Sequence, residues 1–203
     1  MKILFSILIL LIPYTGMCDS PLTSTDFHLA YKHSVIEKAL KRKGKSINKV
    51  LMQFLMDNEG ALDCKVALIN ALGWDFDGQK NAPLFLKFLV KNNICKNEAD
   101  LLSSKNAELL ICYAYLMAMD NYFEVSKAKQ IAQLAAGINK SSYTVQIIAA
   151  LIAAQESLNT DWCQVYQATN QVREAAGLAM DMNQGAVQII FEYMDIYSSS
   201  CDK

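Results

Sequence analysis

Apolar residues recur along the chain at the spacing of an α-helix, and no stretch alternates apolar and polar residues as a half-buried strand would. The clearest helical face, at positions i, i+3, i+4, i+7 and i+8, is formed by Ile47, Val50, Leu51, Phe54 and Leu55. Ser46 is a suitable N-cap before this run, and Gly60 is a suitable stop after it. The pattern therefore predicts an all-α fold.

The same spacing predicts one earlier helix and seven later ones. In the earlier helix, Ser34 and Glu37 have the spacing of a capping box, and Gly44 follows the last turn. The later helices are predicted at residues 62–73, 82–94, 104–121, 124–137, 142–158, 161–178 and 184–199. Two segments within them, 107–119 and 145–154, are apolar around most of their circumference, so we expect them at the centre of the fold.

The first 18 residues have the parts of a secretory signal peptide: Lys2 as their only charge, an apolar run at residues 3–12, and small residues before the cleavage position. The run is too short to span a membrane, which takes about 20 apolar residues. Cleavage after Cys18 leaves residues 19–203 as a single all-α domain, secreted or periplasmic and without a transmembrane span. The alternative is a lipoprotein anchored through Cys18.

A faint internal repeat accompanies the helical pattern. The tetrad Val-Gln-Ile-Ile at 145–148 recurs at 187–190, and the apolar segment at 109–118 can be laid over those at 66–72 and 145–154. The offsets, roughly 36 to 43 residues, fall within the range of helical-hairpin repeats. In this spacing the chain resembles proteins of the tetratricopeptide and HEAT-like class, although it lacks the tetratricopeptide signature residues. The resemblance implies an irregular, α-solenoid-like array of antiparallel helical hairpins, with eight or nine helices.

Composition excludes two classes of protein. The 203 residues are 53% hydrophobic and 19% charged, with a formal net charge of −1, which is unlike a disordered chain. A nearly neutral protein also lacks the cation excess that favours nucleic-acid binding. The strongest local bias is a basic cluster around Gly44, formed by Lys38, Lys41, Arg42, Lys43, Lys45 and Lys49. Cations in a last helical turn complement the helix dipole, and the cluster could also contact an anionic surface.

The cysteines give the most specific structural prediction, because an exported protein can form disulfides. Cys64 begins one predicted helix, and Cys95 follows the next one. Cys163 and Cys201 have the same arrangement in the last two predicted helices. If each pair of helices is antiparallel, both disulfides close the open end of a hairpin, opposite its connecting loop.

Cys112 lies in the middle of a predicted helix among apolar residues, where a free cysteine acts as a small buried hydrophobe. The alternative is that all five cysteines of the mature chain are reduced core residues. No two cysteines have the close spacing of zinc ligands. His28 and His33, five residues apart, would not share a helix face, so we expect surface side chains and no metal or other cofactor.

Residues 73–81 form the most distinctive candidate for chemistry. Asp75 and Asp77, followed by Gly78, could present oxygens to Ca²⁺, but this loop lacks the first and last ligands of an EF-hand. The favoured interpretation is a helix-connecting turn, with Asp77 and Gly78 supplying the turn chemistry and Trp74 packed underneath. The alternatives are that Trp74, Asp75 and Asp77 bind a partner or ligand, or that the two carboxylates act as acid and base on a glycan.

No nucleophile-elbow, phosphate-loop or zinc-helix motif occurs in the sequence, so no catalytic residue is assigned. The export signal and the hairpin organisation favour an exported module that binds a protein or peptide through a groove between helices. One alternative is a small secreted enzyme, acting on glycans or peptides with the carboxylates of Asp75 and Asp77. The other is an envelope lipoprotein anchored through Cys18.

Overall fold

The computed structural model describes residues 20–43, 46–58 and 60–202. Across these ranges the chain forms ten α-helices, two 3₁₀ segments and no β-strand, which confirms the all-α prediction. The helices are α1 (Ser34–Leu40), α2 (Lys49–Met56), α3 (Leu62–Leu72), α4 (Asn81–Lys91), α5 (Glu98–Ser103), α6 (Ala107–Asp120), α7 (Ser126–Ile138), α8 (Tyr143–Ser157), α9 (Trp162–Glu174) and α10 (Gln184–Met194). The 3₁₀ segments are Phe27–Ala30 and Asp195–Cys201.

Two of the predictions fall at the N-terminus of the chain. The predicted signal peptide, residues 1–18, and the lipoprotein alternative at Cys18 lie outside the described residues, so both stay predictions. Among the helices that the structure describes, none is both long and apolar enough to cross a membrane.

Two predicted helix starts are wrong in detail. The cap of α2 is Asn48 rather than Ser46, because the Asn48 side chain accepts a backbone N–H of the first turn at 3.1 Å. The cap of α1 is His33, whose ring accepts a backbone N–H at 3.2 Å, so Ser34 is already helical and the predicted capping box does not form. At its other end, α2 finishes four residues before Gly60.

The core is built around α6 and α8. Every residue of α6 except Glu108 and Met117 is buried, and α6 packs against α3, α4, α7 and α8. Most of α8 is buried as well, between α7 and α9. The prediction that residues 107–119 and 145–154 lie at the centre of the fold is confirmed.

From α6 to α9, each helix packs against the next one in the chain, which gives the predicted array of neighbouring helices. The two ends of the described chain also meet. Helix α10 packs against the 3₁₀ segment at 27–30, and the backbone N–H of Asn183 donates to the Asp63 carboxylate at 3.2 Å. In an open solenoid each repeat contacts only its neighbours. Here the last helix instead returns to the N-terminal segment.

Candidate functional site

The loop between α3 and α4, residues 73–80, contains the three predicted binding residues, Trp74, Asp75 and Asp77. The Asp75 carboxylate accepts a hydrogen bond from the Asp77 backbone N–H at 3.0 Å, and the Asp75 carbonyl accepts one from the Gly78 N–H at 3.0 Å. Gly78 has a φ of +79°, a conformation that favours glycine. The loop is therefore a hydrogen-bonded turn in which Asp75 serves the local backbone.

Aromatic residues attach this loop to the turn that follows α6. Half-buried Trp74 contacts Tyr122 edge-on, with ring centroids 4.9 Å apart, so its side chain packs against the turn that follows α6. Phe76 and Phe123 make a second edge-on contact at 5.7 Å, on the outer side. Their side chains are 70% and 60% exposed, so this pair adds packing between the two loops at the surface.

Asp120, the last residue of α6, fixes the start of α4. Its two carboxylate oxygens accept the backbone N–H groups of Asn81 at 2.8 Å and Ala82 at 2.7 Å. Burial raises the pKa of Asp120 to about 6, and the two N–H donors act in the opposite direction. Both oxygens are used by the helix, so Asp120 is a cap supplied from another helix. Sequence reasoning missed it because the spacing of residues within α4 carries no sign of a distant cap.

One of the two predicted disulfides is present. Cys163, in the first turn of α9, is bonded to Cys201, at the end of the C-terminal 3₁₀ segment, as the hairpin argument predicts. The Cys64–Cys95 prediction is wrong, because both of these thiols are free. The physical reason is that α3 packs against α1 and α6, whereas α4 packs against α6 and α2. These consecutive helices do not form the close hairpin that the prediction required.

The surroundings of the three free thiols that the structure describes disfavour the thiolate form. Burial raises the pKa values of Cys64, Cys95 and Cys112 above the ordinary value. A cysteine nucleophile needs a lowered pKa, so none of the three has the environment of a catalytic thiol. Cys112 is fully buried in α6, as predicted for a small core residue.

A buried polar network ties the N-terminal segment to the core. The backbone N–H and the ring Nδ1 of His28 lie 3.0 and 2.7 Å from the side-chain oxygen of Asn70. The Asn70 amide in turn donates to the Thr25 carbonyl at 2.9 Å and to the Tyr115 hydroxyl at 3.1 Å. The expectation of a surface histidine is therefore wrong for His28, whereas His33 is exposed. This network satisfies buried polar groups and holds the segment in place.

An open groove of about 580 Å³ runs over α8, between walls formed by α7 and α9. Its floor contains Ala149, Ala150 and Ala153 of α8, and its walls include Ala136 of α7 and Ala168 of α9. We call this feature the alanine groove. Because an alanine side chain ends at Cβ, the alanines leave open space between the two flanking helices that longer side chains would fill.

Polar groups border the alanine groove. Gln133 of α7 and Gln171 of α9 are exposed on opposite walls, and the exposed Lys140 also lines the groove. Gln146 is already held in place, because its amide donates to two backbone carbonyls near the end of α7, at 3.0 and 3.1 Å. The two wall glutamines can each donate and accept hydrogen bonds. The groove thus combines an apolar floor with amide groups on both sides.

Comparison of the chain with protein-family models, with curated proteins and with solved structures finds no match. In the part of the chain that the structure describes, no three His, Cys, Asp or Glu side chains are grouped so that they could hold a metal ion. The binding role predicted for Trp74, Asp75 and Asp77 stays a prediction.

Proposed function

We propose that this protein is exported and binds a peptide, or a segment of another protein, in the alanine groove. The observation that carries the proposal is the groove itself, a concave space with a volume of about 580 Å³ that is lined by three consecutive helices. Ligand sites are typically concave and mostly apolar, with a few polar groups that fix orientation. The alanine groove has each of these properties.

The side chains of the groove indicate the kind of segment that fits. An alanine floor admits a backbone that approaches closely, so an extended segment with small or apolar side chains can lie along it. Gln133 and Gln171 are placed to hydrogen-bond peptide groups from both walls. Since Lys140 is the one charged residue that lines the groove among the described residues, the proposed ligand is a segment of low charge.

Export is supported by the apolar N-terminal run and by the Cys163–Cys201 disulfide. Disulfides persist mainly in oxidising compartments outside the cytosol. N-terminal sequencing of the protein, recovered from the producing cells and from their surroundings, tests this part of the proposal. We expect Asp19 as the first residue outside the cytosol. A chain that keeps Met1, or one that begins with a lipidated Cys18, would contradict cleavage after Cys18.

The groove is tested with a side chain that fills it. Ala153→Arg places a long cationic side chain at the half-buried position of the floor, and Ala99→Arg makes the same change at an exposed position of α5. Mature wild-type protein and both variants are used to capture partners from native extracts, followed by mass spectrometry. We expect at least one partner that wild type and Ala99→Arg retain and that Ala153→Arg loses.

Circular dichroism and thermal melting verify that both variants are folded before capture. If folded Ala153→Arg protein retains every partner of the wild type, binding does not use the alanine groove and the proposal is wrong. If no partner is recovered with any form, the proposal of a protein-binding module is equally unsupported.

A further inference from the structure

Charge is strongly segregated within this nearly neutral chain. Residues 38–49 and 80–96 contain no acidic residue, and their ten basic residues are Lys38, Lys41, Arg42, Lys43, Lys45, Lys49, Lys80, Lys87, Lys91 and Lys96. Helix α2 packs against both α1 and α4, so these two segments are neighbours in the fold. On the packed pair of α2 and α4, the exposed Lys49, Lys87 and Lys91 form a basic face that the net charge of −1 conceals.

A groove of about 380 Å³ lies within this face, between α2 and α4. Its apolar lining is formed by Met52 of α2 and by Leu84 and Phe88 of α4. Leu84 and Phe88 are one helical turn apart and therefore present one continuous stripe. Met52 and Leu84 are half-buried, so part of this apolar surface is accessible.

Three lysines surround the apolar lining, and we call the feature the lysine groove. Lys87 and Lys91 follow one edge of α4, a rise of about 6 Å along its axis, and Lys49 stands on α2. All three are exposed, and none forms an ion pair with an acidic residue that the structure describes. Lys49 is also the first residue of α2, where the positive end of the helix dipole disfavours a cation. Its charge is therefore not explained by helix stability.

We infer that the lysine groove binds an acidic amphipathic helix of another protein. Apolar residues at positions i and i+4 of such a helix pack against Leu84, Phe88 and Met52, as in other helix-in-groove complexes. Acidic residues beside that apolar ridge then meet lysines on both walls of the groove. The alanine groove lies on different helices, so this inference does not rest on the function proposed above.

The arrangement of the lysines favours this occupant over other anions. A single-headed amphiphile would require cations at one end of an apolar slot, whereas here the cations stand along α4 and across from it on α2. A nucleic-acid backbone would use the cations but presents no apolar ridge for the groove floor. An amphipathic helix matches both the charge and the concave apolar surface.

The test is selection from a display library of short helical peptides, with the mature wild-type protein as the target. We expect the enriched peptides to combine an apolar i, i+4 pair with flanking Asp or Glu residues. Fluorescence anisotropy then compares the wild type with two double variants of equal charge change, Lys87→Glu/Lys91→Glu and Lys32→Glu/Lys105→Glu. The second pair is exposed and does not line the groove. The groove variant should bind at least about tenfold more weakly, and the control should keep most of the affinity.

Three outcomes would overturn the inference. The first is that the enriched peptides have no excess of acidic residues, or that no peptide is enriched. The second is an equal loss of affinity in both double variants, which would indicate a non-specific effect of net charge. The third is failure to bind any acidic peptide while vesicles of phosphatidylcholine and phosphatidylglycerol bind through Lys87 and Lys91, which would assign the face to an anionic lipid surface. All four substituted lysines are exposed, and thermal melting verifies that both variants are folded.

Discussion

Replacing Asp120 with asparagine should change how the stability of the protein depends on pH. Burial raises the pKa of Asp120 from 3.8 to about 6, so the folded state holds this proton more tightly than the unfolded chain does. The stabilising contribution of the proton is complete below about pH 4 and is lost as the pH rises through about 6. Asparagine has no titrating proton, so Asp120→Asn removes this contribution to the pH dependence.

The expected size follows from the pKa difference. A shift of about 2 units corresponds to about 3 kcal/mol, which is the upper limit of the pH-dependent change in relative stability. A second effect does not depend on pH. Asparagine replaces one of the two carboxylate oxygens with an NH₂ group, which cannot accept a hydrogen bond. One of the two α4 N–H groups therefore loses its partner, which costs about 1–3 kcal/mol because that donor is buried.

Urea unfolding at pH 4, 5, 6 and 7 measures the effect, with Asp77→Asn as a control at an exposed carboxylate. The pKa of Glu98 is lowered, chiefly by its hydrogen bond from Lys127, and its opposite contribution cancels between wild type and variant. From pH 4 to pH 7, Asp120→Asn should gain up to about 3 kcal/mol of stability relative to the wild type. A relative stability that is flat or falls with pH would show that the α4 N–H groups outweigh burial, and would refute the reasoning.

Other consequences of the structure can be measured directly. Cys201→Ser should lower the free energy of unfolding by about 4 kcal/mol in oxidising buffer and should have no such effect in reducing buffer, since the disulfide closes a loop with a sequence separation of 38. In a Trp74→Phe background, reduction should shift the emission of Trp162, which packs against the disulfide-bound 3₁₀ segment; an unchanged spectrum would contradict that packing. Leu151→Ala in the core of α8 should cost about 2–5 kcal/mol by urea unfolding, whereas Leu134→Ala, 41% exposed on α7, should cost much less.

Periodicity located the helices well because each long helix buries one or more faces. Helix α8 was predicted at 142–158 and spans Tyr143–Ser157. Helix α5 was missed, since its six residues are too few to establish a period. The caps of α1 and α2 were misplaced by one or two residues, because capping depends on which backbone is extended. His33 and Asn48 have that extended conformation and therefore supply the capping side chains.

The cysteine predictions show how far helix contacts can be inferred from the order of helices in the sequence. The argument assumed that consecutive helices are neighbours in space. At the C-terminus the assumption gives the right pair, although it is the 3₁₀ segment ending at Cys201 that packs along α9 and reaches Cys163, while α10 itself packs mainly against the 3₁₀ segment at 27–30. The assumption fails for Cys64 and Cys95, because α3 and α4 both use the apolar surface of α6 instead of each other's. Several helices can pack against a helix that is apolar around its whole circumference, and the sequence alone does not show which of them do.

Sequence reasoning expected a groove between helices, but the same limit prevented it from locating the alanine groove. Residues 145–154 are apolar around most of the helix and were expected at the centre of the fold, yet Ala149, Ala150 and Ala153 also border an open groove. The tetrad repeated at 187–190 is less buried in α10 than its counterpart in α8. The periodicity of apolar residues indicates which side chains are buried, but it does not indicate how closely a neighbouring helix packs against them. Side-chain size supplies that measure, because α7 and α9 flank a row of alanines that bring no bulk to fill the space between them. A search for alanine-rich faces on otherwise fully apolar helices would therefore have singled out α8 from the sequence.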